Sequence, residues 1–113
     1  MRIEILTFEG CPHSEATSEV VRQALWLEHA DAAVEVIDVS SQEAAHALRF
    51  LGSPSVRVNG EDAEPGARYH TDYGLMCRMY HADVGLAGTL PIELIRDAIR
   101  RALGGERELL ANG

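Results

Sequence analysis

The chain has 113 residues, of which 46% are hydrophobic and 25% are charged, and its formal net charge at pH 7 is −8. This length predicts one domain that can bury a hydrophobic core without disulfides. The acidic balance argues against nucleic acid and anionic membranes as partners, because both require a basic surface. No apolar run reaches the roughly 20 residues of a membrane span.

The N-terminal residues lead directly into strand-like alternation, without the apolar segment or small-residue cleavage site of a secretory signal. The chain contains two cysteines, Cys11 and Cys77. Cysteines in a chain without a signal favour a reducing compartment, and reactive or metal-binding thiols over structural disulfides. We therefore expect a cytoplasmic location.

Period-two alternation and β-branched runs predict the strands. The four predicted strands cover residues 2–8, 33–39, 53–58 and 61–64. Asn59-Gly60, between the last two, predicts a tight hairpin. Apolar residues three and four apart predict a helix over about 12–28, with Pro12 in its first turn.

Two further helices are predicted mainly from the residues at their ends. The second begins at a capping box formed by Ser40 and Glu43, and Gly52 stops it. The last helix is capped by Thr89, follows a helical apolar pattern, and ends at Gly104-Gly105.

This order of elements predicts an α/β fold, with a four-stranded mixed β-sheet flanked by helices. We expect one domain over residues 1–105 and a tail over residues 106–113. Between Pro65-Gly66 and Thr89, where the last helix starts, lies an insert of 22 residues, far longer than a usual loop of about 4–6 residues. Because the insert retains large apolar residues, we expect it to be ordered and packed against the domain.

Cys11 lies at the turn between the first strand and the first helix. The free N–H groups and the positive end of the helix dipole stabilise a thiolate there, and the thiolate is both the nucleophile and the soft-metal ligand. His13 would add to this effect if it were protonated. The simpler alternative is a small buried cysteine next to an ordinary turn histidine.

The residues from Phe8 to Ser14 and from Gly52 to Gly60 resemble the thioredoxin/glutaredoxin superfamily. In that superfamily a Cys-Pro-x-Cys motif begins the first long helix and faces a cis-proline that precedes a core strand. The resemblance implies a thioredoxin-like fold in which Pro54 is cis and lies near Cys11.

More narrowly, the chain is similar to a small group of thioredoxin-like proteins, some of them with selenocysteine. These proteins are often labelled after alkylmercury lyase because of their association with mercury-resistance genes. The narrower match is carried by residues 49–54, 64–66 and 71–80.

The resemblance implies thiol–disulfide redox chemistry with Cys11 as the nucleophile. Ser14 stands where redox members have a second cysteine, so no second thiol within the motif can attack and resolve a mixed disulfide. A monothiol mechanism would use glutathione or another external thiol, and Cys77 is the alternative resolving residue. We therefore place Cys11, Ser14 and Cys77 in the catalytic set, and a protein or glutathione-like thiol or disulfide is the expected substrate.

Six further residues are expected to bind that substrate. By analogy with the superfamily, the peptide before Pro54 presents its backbone groups to an extended thiol substrate. The insert contributes polar and aromatic neighbours of Cys77 that suit a substrate-facing loop. The six residues are Pro12, His13, Ser53, Pro54, Tyr73 and Arg78.

Other interpretations remain open. Cys77 is alternatively a buried strand cysteine packed beside methionines. Cys11 and Cys77 together would suffice to bind a soft metal ion or an organomercurial, because a soft cation needs only two thiolates. Cleavage of a carbon–mercury bond needs more thiols than the chain has. A redox-inactive interaction module that merely keeps the fold is the third possibility.

The histidines lack the spacing of a zinc site, so we expect no resident metal and no cofactor. They are His13, His29, His46, His70 and His81.

Overall fold

The computed structural model describes residues 1–81 and 85–112, with side chains described for residues 1–81 and 85–105. Its main sheet has four strands in the order β2-β1-β3-β4. These strands are β1 (Arg2–Thr7), β2 (Ala33–Asp38), β3 (Ser55–Val58) and β4 (Glu61–Asp62). Strand β1 pairs in parallel with β2 and antiparallel with β3, which pairs antiparallel with β4. The predicted four-stranded mixed sheet is therefore confirmed.

Within the described residues, three α-helices accompany the sheet: α1 (Ser14–Leu27), α2 (Gln42–Ala47) and α3 (Ile92–Asn112). Side chains of β1 alternate between two cores, because successive residues of a strand point to opposite faces. Ile3 and Ile5 belong to the larger core, with apolar residues of α1 and α3. Leu6 belongs to a smaller core with Ala45 of α2 and Phe50. Helices therefore cover both faces of β1.

The turn at Asn59-Gly60 joins β3 to β4, as predicted, and both residues have positive φ, 51° and 85°. The cap of α2 differs from the prediction by one residue. Ser41, not Ser40, accepts a hydrogen bond from the backbone N–H of Ala44, at 3.0 Å. The helix also ends at Ala47, before the predicted stop at Gly52.

The predicted end of the last helix is wrong. Helix α3 continues through Gly104-Gly105 and reaches Asn112. A glycine that terminates a helix adopts the left-handed conformation, and neither of these two is among the glycines with positive φ. Residues 106–112 of the predicted tail are thus helical in backbone, and Gly113 lies outside the described residues.

The start of α3 differs as well. The helix begins at Ile92, and the N–H of Leu94 donates to the carbonyl oxygen of Pro91 at 3.1 Å. Thr89, the predicted cap, has its hydroxyl 3.4 Å from Nδ1 of His13 instead. This contact ties the entry to α3 to the turn that precedes α1.

The insert is ordered over its described residues, as predicted. It contains a 3-10 turn (Ala67–Tyr69) and a small antiparallel pair, β5 (Tyr80–His81) with β6 (Leu86–Ala87). Tyr80 is fully buried and belongs to the larger core. The insert is therefore part of the packed domain. No helix among the described residues is long and apolar enough to cross a membrane.

Candidate active site

Cys11 follows the end of β1 and precedes α1 by three residues. Its N–H donates to the carbonyl oxygen of Phe8 at 3.1 Å, which closes the turn after the strand. Helix α1 begins at Ser14 rather than at Pro12, so Pro12 and His13 form a turn. The first helical amides lack partners inside the helix, and those of His13 and Ser14 are available to the Cys11 sulfur.

The environment of Cys11 lowers the pKa of its thiol. Partial burial is the largest single influence and acts to raise this pKa. It is outweighed by the hydroxyl of Ser53, the backbone N–H of His13, and both the hydroxyl and the N–H of Ser14, which all favour the thiolate. Ser14 therefore supports the thiolate through both its hydroxyl and its backbone N–H.

Ser53 approaches this thiol from across the fold. Its peptide bond with Pro54 is cis, as the resemblance implies. Ser53 is 1% exposed, and its hydroxyl has no acceptor within hydrogen-bond distance among the described residues. The hydroxyl nevertheless lies close enough to the Cys11 sulfur to favour its ionised form. Ser53 is therefore a buried serine next to the site, with a hydroxyl that no other group engages among the described residues.

The backbone of Ser53 pairs with the insert in a parallel β-bridge to Cys77. The Ser53 N–H donates to the carbonyl oxygen of Met76 at 2.8 Å, and its carbonyl oxygen accepts from the N–H of Arg78 at 2.9 Å. Cys77 is exposed, so the alternative of a buried strand cysteine is wrong. Cys11 is partly exposed, and both thiols are free.

The contacts of Arg78 do not support its predicted role in substrate binding. Its guanidinium forms two hydrogen bonds with the Asp62 carboxylate, at 2.7 and 2.9 Å, and a third with Ser55 Oγ at 3.0 Å. Arg78 is 8% exposed, and its guanidinium also lies over the Tyr80 ring. These contacts fix the insert to β4 and engage the guanidinium within the chain itself.

Two other predicted binding residues are also engaged elsewhere. Tyr73 stacks edge-on against His46, with ring centroids 6.3 Å apart, and lines a different cavity from the one at Cys11. The ring of His13 lies against Gly88, where a Cβ atom would overlap it, and beside Thr89. His13 thus contributes its backbone N–H to Cys11, while its ring packs under the entry to α3.

An open cleft of about 520 Å³ surrounds Cys11. Pro12 and Ser14 line this cleft, as do three carboxylate residues that the sequence analysis did not place in the site. They are Glu9, Glu15 and Asp38. The sequence could have indicated two of them, because Glu9 and Glu15 lie on either side of the Cys11–Ser14 motif. No group of three or more metal-ligating side chains is present within the described parts of the chain.

The structure therefore brings Cys11, Pro12, Ser14 and Ser53 together, with Cys77 on the segment that pairs with Ser53. No protein-family model, curated protein or solved structure matches the chain. The resemblance to the thioredoxin/glutaredoxin superfamily stays a prediction, and the function has to be inferred from the geometry of the site.

Proposed function

We propose that the chain is a thioredoxin-like thiol–disulfide oxidoreductase with Cys11 as its nucleophile. The observation that supports this most is the position of Cys11 in an open cleft just before α1, where the hydroxyls of Ser14 and Ser53 and the amides of His13 and Ser14 lower the pKa of its thiol. An ordinary buried cysteine has no need of such donors, whereas a thiolate does. The strand order and the mixed pairing agree with this fold.

In the proposed reaction, the Cys11 thiolate attacks one sulfur of a disulfide. A new bond forms between Cys11 and that sulfur, the original S–S bond breaks, and the second sulfur leaves as a thiolate that takes a proton from water. The hydroxyls of Ser14 and Ser53 stabilise Cys11 both as the attacking thiolate and as the leaving group of the return step. An external thiol then attacks the mixed disulfide and releases Cys11.

Cys77 provides the alternative means of resolving the mixed disulfide, because it is exposed on the segment that pairs with Ser53. In that route the Cys77 thiolate attacks the Cys11 sulfur, forms an internal disulfide and releases the substrate thiol. Intact mass distinguishes the routes, because the internal disulfide leaves no substrate group on the chain. Binding of a soft cation or an organomercurial is a separate alternative that needs both thiols, whereas exchange at Cys11 survives Cys77→Ser.

The two single-thiol variants test the proposal, since the chain has only two cysteines. Cys77→Ser leaves only Cys11, and Cys11→Ser leaves only Cys77. We expect Cys11 to react with iodoacetamide faster than Cys77 and to remain reactive at lower pH, because it alone lies at the start of a helix among hydroxyl and amide donors. A mass-spectrometric time course at several pH values measures both rates. Equal rates, or a faster Cys77, would contradict the assignment of Cys11 as nucleophile.

A further inference from the structure

Residues 74–80, here called the strap, run alongside the segment that leads into β3. Their attachment is distributed along their whole length rather than limited to one contact. Apart from the pairing with Ser53, two contacts hold the start of the strap: the Gly74 N–H donates to the Phe50 carbonyl oxygen, and the Leu75 N–H donates to Gln42 Oε1. Two more hold its end: the Arg78 guanidinium donates to the Asp62 carboxylate, and the Tyr80 hydroxyl donates to the Pro54 carbonyl oxygen. Arg78 and Tyr80 are also buried, so two side chains of the strap are anchored inside the domain.

The strap occupies the backbone edge beside Cys11. An extended polypeptide is held at a strand edge by pairing with a backbone N–H and a backbone C=O. At Ser53 both groups are already engaged, by Met76 and Arg78 of the same chain. An extended substrate would have to displace the strap before it could pair there.

Gly52 shows how closely the strap fits. A Cβ atom at this position would lie 3.0 Å from the Cβ of Arg78 and 3.1 Å from the carbonyl oxygen of Met76. The φ of Gly52 is also positive, at 118°. The strap can approach Ser53 because the preceding residue has no side chain.

We propose that the disulfide attacked by Cys11 belongs to a small molecule, and that the strap excludes extended polypeptides from the site. This inference rests on the proposed function and deepens it by naming the substrate class. The cleft at Cys11 remains open beside Pro12 and Ser14, so a small disulfide reaches the sulfur without touching the Ser53 edge. The position of the strap therefore sets specificity through substrate size.

The test compares two probes with the same leaving group, in the Cys77→Ser background. One probe is dithiodipyridine, and the other is a short neutral peptide whose cysteine carries a thiopyridyl group. Attack on either releases thiopyridone, whose absorbance gives the rate. A free cysteine derivative reacting with both probes supplies the reference ratio. For each thiol we compare the rate with the small probe divided by the rate with the peptide probe. We expect this ratio to be at least about tenfold larger for the protein than for the free cysteine derivative, because two backbone hydrogen bonds must break before the peptide can pair.

Gly52→Ala displaces the strap and should bring the preference back towards the reference ratio. Gly66→Ala is the matched control, because Gly66 also has positive φ, 82°, but a Cβ there meets no atom within 4 Å. If circular dichroism shows that Gly52→Ala does not fold, Gln42→Ala combined with Tyr80→Phe loosens the strap at both ends. A preference unchanged by loosening the strap would overturn the inference, since exclusion would then have another cause.

The failure of the inference and the failure of the proposed function give different results. If the unaltered strap allows the peptide probe to react at the reference ratio, the inference is overturned while Cys11 remains the nucleophile. If Cys11 reacts with the small probe no faster than the free cysteine derivative does, the proposed function itself fails.

Discussion

At Cys11, burial and hydrogen bonding act on the same thiol in opposite directions. Burial acts to raise the pKa, and the surrounding hydroxyls and amides act to lower it. Ser53 is the largest of the lowering influences. Its hydroxyl has no hydrogen-bond partner among the described residues, so no competing acceptor holds it away from the sulfur.

We predict that Ser53→Ala raises the pKa of Cys11, because the burial remains while the strongest donor is lost. The measurement is the pH dependence of thiolate absorbance and of alkylation rate in the Cys77→Ser background. Ser40→Ala is the control, since Ser40 is exposed and is not among the residues that shift this pKa. An unchanged pH profile in Ser53→Ala would show that the Ser14 hydroxyl and the amides suffice to stabilise the thiolate.

The same pKa shift has a consequence for stability. The folded pKa of Cys11 is lowered relative to the unfolded chain, so the unfolded chain binds more protons between the two values. The free energy of unfolding should therefore increase as the pH rises from the folded pKa to the unfolded pKa. Below the folded pKa this contribution of Cys11 to stability is absent. Cys11→Ser should remove this rise, which denaturation at several pH values would detect.

Among the elements, α3 shows how a local signal was outweighed. A glycine pair after an apolar helical pattern is typical of a helix end, yet α3 continues past it. Glycine inside a helix costs about 1 kcal/mol relative to alanine but does not forbid helical backbone. The stop signal requires left-handed φ, which Gly104 and Gly105 do not adopt.

We predict that Gly104→Ala raises the free energy of unfolding by about 1 kcal/mol, because alanine favours the helical backbone and a Cβ there meets no atom within 4 Å. Chemical denaturation measures the change. Gly66→Ala serves as the comparison and should be destabilising, by about 1 kcal/mol, because Gly66 has left-handed φ. If Gly104→Ala were destabilising as well, the helix would end at Gly104, as the sequence pattern predicted.

The sequence predicted the elements that depend on neighbouring residues better than the contacts between distant ones. The strands and the Asn59-Gly60 turn follow from local alternation and turn chemistry, and they lie close to where they were predicted. The pairing of Arg78 with Asp62, 16 residues away, has no such local signal. An arginine among aromatic residues looks the same whether it faces a substrate or a buried carboxylate, so the sequence did not reveal that Arg78 pairs with Asp62.

The candidate site divides in the same way. Cys11 was predicted from its place between a strand and a helix, and Ser53 from the resemblance around the cis-proline. The occupation of the Ser53 edge by Met76 and Arg78 was not predicted. Which edge an insert covers depends on the path of the chain in three dimensions, and composition does not encode it.

At the scale of the whole molecule, negative charge surrounds the approach to the proposed nucleophile. The net charge of −8 arises from 18 acidic and 10 basic residues. Glu9, Glu15 and Asp38 line the cleft at Cys11, and no arginine lines it among the described residues. A cleft lined with charges of one sign attracts ligands of the opposite sign and repels those of the same sign.

We predict that Cys11 reacts with small disulfides in the order of their charge, with positive cystamine ahead of neutral hydroxyethyl disulfide and negative dithiodipropionate last. At low salt the cation should react about tenfold faster than the anion, relative to a free cysteine derivative. Near 1 M salt, where the Debye length is about 3 Å, the difference should largely disappear. Glu15→Gln with Asp38→Asn should weaken the low-salt preference, whereas Glu35→Gln, at an exposed position outside the cleft, should not. Equal rates for cation and anion at low salt would mean that the cleft carboxylates do not govern access to Cys11.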